Sequence, residues 1–149
     1  MSYWRFAAMI ATSTIVMYGL MYLNTYAPEH VFWSETRVWM AILMGSVMAV
    51  IMLSYMLSMY PKKALNIGIY CTSILVFALT LWLVRSQATV GDSEYMKAMI
   101  PHHSIAIMTS ERAQISDPRV RKLADEIIAA QRREISEMKY LINDLERTD

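Results

Sequence analysis

An all-α fold is predicted for this 149-residue chain: three transmembrane helices, then an antiparallel two-helix hairpin that completes a four-helix bundle by oligomerisation. Three observations predict it. Charge is segregated, with Arg5, Glu29, Glu35, Arg37, Lys62 and Lys63 alone between Trp4 and Val84, but a charge in nearly every turn after Asp92. The first part holds three long apolar runs, and the last part holds two amphipathic runs broken at Asp117-Pro118. Residues 1–85 therefore read as a membrane anchor, 86–91 as a polar linker and 92–149 as a water-facing domain.

The runs Trp4–Leu23, Val38–Tyr60 and Ala64–Val84 can each cross a hydrocarbon core of about 30 Å. Backbone groups have no water to bond there, so each run must be helical. The first run is long for a signal peptide, and no A-x-A cleavage pattern follows it. It is expected to stay as a span. Arg5, Lys62 and Lys63 place the N-terminus and the second turn in the cytoplasm. The Asn24–Thr36 loop and the C-terminal domain then face the periplasm or cell exterior, with the chain in the inner (plasma) membrane.

Methionine is unusually frequent, at 14 residues. Met40, Met44, Met48, Met52 and Met56 recur every four residues along the second span. Such a row suits helix packing, since thioethers fill irregular gaps, although it could also hand a soft metal along the membrane. Gly45 and Ala49 mark a close-approach seam. The single cysteine, Cys71, lies in an apolar run and forms no CxxC pair. A net charge of +1 without a basic patch argues against nucleic acid.

In the hairpin, Asp92 or Ser93 is expected to cap a helix reaching about Ile115. Asp117 as N-cap and Pro118 at the first helical position restart it, to about Glu146. The second helix carries an apolar row of Val120, Leu123, Ile127, Met138, Leu141 and Leu145, interrupted by Gln131 and Glu134. This row reads as core. A neighbouring row, Ile128, Ile135 and Ile142, is expected to meet another subunit, because so short a hairpin buries little alone.

Met96, Met99 and His103, spaced i, i+3, i+7, share one face of the first hairpin helix, with His102 to its side. Folding about residue 116 sets His103 near Glu126–Gln131, Met99 near Glu134 and Met96 within reach of Met138. Pro101 should kink the helix and turn both histidines toward a common point. Thioethers and imidazoles together favour copper, and especially Cu(I). Glu134 could orient a ligating histidine, and Gln131 lies opposite the cluster. The plainer alternative is a histidine pair satisfied by backbone or water among filler methionines. His30 reads as a surface or interfacial histidine with a smaller claim as an added ligand.

The residues Asp92, Tyr95-Met96, Met99-Ile100-Pro101-His102-His103, Ala106, Arg121-x-x-Ala124 and Ile127-Ile128-x-x-Gln131-x-x-Glu134-Ile135-x-x-Met138 resemble a bacterial family of domains of unknown function, numbered three hundred and five and often described as ferritin-like. The resemblance covers Asp92–Leu141. It implies a copper-binding or copper-resistance role, with Met96, Met99, His102, His103 and Met138 as ligands. Met108 is what remains here of the Met-rich segment that follows the histidines in that family.

A membrane-anchored copper-binding protein for tolerance, storage or delivery is thus expected, bound to the lipid bilayer, self-associating through the hairpin and serving a copper-handling partner protein. No enzyme is expected. The Glu-x-x-His pairs of a di-iron oxidase are absent, and no Ser-His-Asp or Cys-His arrangement occurs. An accessory subunit without metal chemistry is the alternative.

Overall fold

The computed structural model describes residues 2–148. The chain ends at 1 and 149, counted in the domain division above, lie outside them. Among the described residues there are five α-helices and no strand: α1 Tyr3–Leu20, α2 Glu35–Tyr55, α3 Lys63–Ser86, α4 Asp92–Arg112 and α5 Pro118–Thr148. Short 3-10 turns occupy Pro28–His30 and Leu57–Met59.

The chain forms two compact units. One comprises the described residues up to Met21 with Thr36–Thr89; the other comprises Tyr22–Glu35 with the residues from Val90 onward. The segment between the first two apolar helices thus belongs with the C-terminal hairpin.

In the first unit, α2 and α3 are long and apolar enough to cross a membrane. The helix α1 is not among them: it has 18 residues, opens on Tyr3-Trp4-Arg5 and carries Thr12, Ser13 and Thr14. It stops at Leu20, short of the expected Leu23. The second expected span is divided, because α2 ends at Tyr55 and a 3-10 turn follows.

The helices α2 and α3 run antiparallel. Ser54 meets the Tyr70 hydroxyl at 2.8 Å at one end, and Thr36 donates to Gln87 Oε1 at 3.3 Å at the other. Phe6, Ala49, Leu53 and Tyr60 form the core, with Met52 and Met56 packed against it. This supports a packing role for those two methionines. Gly45 is buried, and a Cβ added there would run into the Thr14 side chain. The polar Asn66, buried in α3, is satisfied: its Nδ2 donates to Tyr60 O at 2.8 Å, and its Oδ1 accepts from Tyr3 at 2.9 Å.

In the second unit, α4 and α5 pack antiparallel. Lys97, early in α4, pairs with Glu146, late in α5, at 2.7 Å, and Glu111 pairs with Arg132. Gly91 rather than Asp92 or Ser93 is the N-cap of α4, so Asp92 and Glu94 fall in its first turn, where the positive helix end favours acids. The helix continues through the buried Pro101 and ends at Arg112, earlier than expected. The restart at Pro118 is as predicted. The Arg119 N–H donates to Asp117 Oδ1 at 2.8 Å, the bond expected of an N-cap acid.

The core of the hairpin uses the other apolar row of α5 than the one expected. Ile135 and Ile142 are buried with Met96, Ile100 and Ile107, and Ile128 and Phe32 pack against that cluster. The row assigned to a second subunit is therefore the hairpin's own core, completed by Phe32 from the Tyr22–Glu35 segment. The row read as core stays open: Val120, Leu123, Ile127, Leu141 and Leu145 are 37–55% exposed, and Met138 alone is buried.

Candidate metal centre

Two faces of α4 carry the chemistry of the second unit. On the core side, Ser104 is fully buried. Its hydroxyl accepts the Tyr26 backbone N–H at 2.8 Å and lies 2.9 Å from His30 Nδ1. His30 is itself buried, and its Nε2 is 3.8 Å from Glu29. Burial holds its pKa below the ordinary value; the Lys139 charge adds to this and Glu29 opposes it. The histidine expected at a surface or interface is thus a fastening between Tyr22–Glu35 and α4. A polar residue at Ser104, between Ile100 and Ile107 on the apolar stripe, was the signal that a partner must exist.

Beside it, and sharing Met96 and Met138 with the core, lies a cleft of about 530 Å³, lined by Met96, Met99, His103 and Met138 together with Tyr95, Leu141, Leu145 and four acids, Asp92, Glu134, Glu137 and Asp144. Three thioethers and one imidazole from the predicted set therefore share one cavity. His102 is exposed and absent from its lining; its ring centre is 6.1 Å from that of His103, edge-on. Gln131 and Met108 are half-buried and also absent from it. His30 lines a separate cleft with Arg132 and Lys139. Among the described residues, no three His, Cys, Asp or Glu side chains group as a metal site. The cleft sets three thioether sulfurs and one imidazole beside four carboxyl groups.

Glu134 bonds His103 and shares the cleft lining with Met99. Its Oε2 is 2.7 Å from His103 Nε2, while His103 Nδ1 is 3.0 Å from the Met99 carbonyl. The register differs from simple folding about residue 116 because long side chains lean toward their own helix N-terminus. In this hairpin that carries α4 side chains away from the turn and α5 side chains toward it. Both ring nitrogens of His103 are therefore engaged, and an incoming ligand must displace one partner.

Residues 83–148 match the family described as a domain of unknown function, DUF305. Over 104 residues the chain is 33% identical to an uncharacterized protein of Acanthamoeba polyphaga mimivirus, covering 65% of this chain and 68% of the viral one. That alignment is longer than the domain match, so the similarity extends into the residues before 83. No solved structure matches. The chain belongs to the DUF305 family.

Proposed function

We propose that this protein binds copper, as Cu(I), through the α4–α5 cleft, and serves copper tolerance, storage or delivery from a membrane anchor. The observation that carries the reading is the convergence of Met96, Met99, Met138 and His103 on one cavity. Neutral sulfur donors beside an imidazole suit a soft monovalent ion, and sulfur from methionine survives where thiols would be oxidised. The acid lining carries no cation and draws positive charge inward. His103 would offer Nε2, because the Met99 carbonyl that meets Nδ1 is fixed in the same helix, whereas the Glu134 side chain is free to swing aside. His102, exposed beside it, would deliver or exchange the ion.

In this reading α1, α2 and α3 hold the chain in the inner (plasma) membrane. Arg5, Lys62 and Lys63 set the N-terminus in the cytoplasm, and the hairpin faces the periplasm or exterior. A copper-handling protein would take the cargo. The test is Cu(I) titration of the full chain in detergent against a competing chelator. Met99→Leu with Met138→Leu keeps volume and fold and should weaken Cu(I) by tenfold or more, about 1.4 kcal/mol. Wild-type protein that takes up no Cu(I), or an unchanged affinity in the double variant, overturns the proposal.

A further inference from the structure

The metal cleft shares a wall with the core of the hairpin. Met96 and Met138 line the cleft and also belong to the buried cluster with Ile100, Ile107, Ile135 and Ile142. Met99 packs against that cluster, and so does Phe32. Three of the four convergent donors are thus seated on a core whose cover comes from Tyr22–Glu35. That segment is tied to α4 at Ser104 Oγ, one residue beyond His103.

We propose that His30 is a positioning residue for the cleft: its neutral imidazole ties Tyr22–Glu35 to α4, and acid opens the tie and removes the support behind Met96 and Met138. The proposal rests on the copper reading for what the cleft holds, but not for the opening of the tie.

The hydrogens at Ser104 decide the sign. A hydroxyl has one hydrogen to donate and two lone pairs to accept with. The Tyr26 N–H takes one lone pair at 2.8 Å, and the hydroxyl hydrogen is left for His30 Nδ1 at 2.9 Å. That bond needs a bare Nδ1. An imidazolium carries a hydrogen on both nitrogens, so two N–H donors would meet one oxygen. The hydroxyl hydrogen would then lose this acceptor in a site that is 0% exposed. The surroundings do little for the added charge. On its own turn His30 has Glu29 at 3.8 Å, an acid whose side chain is 74% exposed. From α5, Arg132 and Lys139 line the same cleft as His30. Arg132 is paired with Glu111 of α4, whereas Lys139 opposes a charge on the ring. From α4 come Ser104 and Ile107, neither of them charged. The lowered pKa of His30, set first by burial and then by Lys139, agrees with this balance. Protonation therefore favours the state in which the ring has left for water. Phe32 lies two residues along the chain and leaves with it. Met96 and Met138 are flexible thioethers fixed by packing, so they lose their places when the packing goes.

The experiment loads the full chain in detergent with Cu(I) at pH 7.5, moves it to pH 5.5 and adds a chelator. His30→Gln keeps an acceptor for the Ser104 hydroxyl but cannot take up the proton. Both proteins keep His102 and His103, so the ratio of their accelerations reports His30. Acidification should speed release from wild type at least about threefold more than from H30Q. Phe32→Ala should release Cu(I) faster already at pH 7.5. In metal-free wild type, residues 22–35 should lose hydrogen-exchange protection between pH 7.5 and pH 5.5, and in H30Q they should not. Should H30Q fail to fold, the wild-type exchange series and Phe32→Ala decide. Protection that persists in acid overturns the opening of the tie. An opened segment with equal acceleration in wild type and H30Q, or Phe32→Ala releasing at the wild-type rate, overturns the positioning role. Wild type without Cu(I) uptake overturns the copper reading, while hydrogen exchange still decides the tie.

Discussion

At the scale of single residues, Ser104 and His30 show what a buried polar contact demands. Replacing Ser104 by Ala removes the acceptor for the Tyr26 N–H in a site that water does not reach. An unmet buried donor costs about 1–3 kcal/mol, so Ser104→Ala should lower the thermal midpoint of the purified chain while leaving α4 intact by circular dichroism. The His30 shift has a definite sign. Its pKa is depressed in the fold below the ordinary 6.5, so the unfolded chain takes up the proton first as pH falls. Stability is complete above about pH 6.5 and is lost as pH drops through the folded value. Midpoints measured from pH 7.5 to pH 5 should fall more steeply in wild type than in His30→Gln. Equal slopes would assign the loss to other groups.

At the scale of elements, the helices and their polarity were legible before any coordinates. Charge segregation, the Asp117-Pro118 restart and the i, i+3, i+7 spacing of Met96, Met99 and His103 are local signals, and local signals survive folding. What failed was non-local. Two rows on α5 could each have been core, and sequence alone did not show that Phe32, far upstream, covers the isoleucines. The register also shifted, because side-chain lean acts at the contact and leaves no trace in spacing. The small-residue seam of α2 was readable, and it supports a further prediction. Gly45→Val should force α1 and α2 apart at Thr14 and cost about 1–3 kcal/mol by overpacking, read as earlier thermal unfolding in detergent. Gly19→Val, where nothing lies within reach, should not.

At the scale of the whole molecule, the division into units does not follow the order of the chain. Residues 86–149 alone lack Tyr22–Glu35, so Ile100, Ile107, Ile135 and Ile142 would lose the cover of Phe32, and Ser104 would lose both its partners. That fragment should aggregate or bind hydrophobic dyes at concentrations where the full chain is well behaved. A fragment that is monomeric and as cooperative in melting as the parent would contradict this. The candidate site survives such a truncation on paper, since every residue of its lining lies after 91, yet its scaffold does not.

The fastening at Ser104 also orders events during synthesis. Tyr26 leaves the ribosome 78 residues ahead of the serine it will bond, and a closure that long is entropically costly in a free chain. The Thr36–Gln87 contact shortens it, because pairing α2 with α3 brings the two strands of chain leading into the second unit side by side. Pairing of those two helices would therefore act as a checkpoint: a lesion in the Tyr60–Lys63 turn would surface as misassembly of a unit to which the turn does not belong.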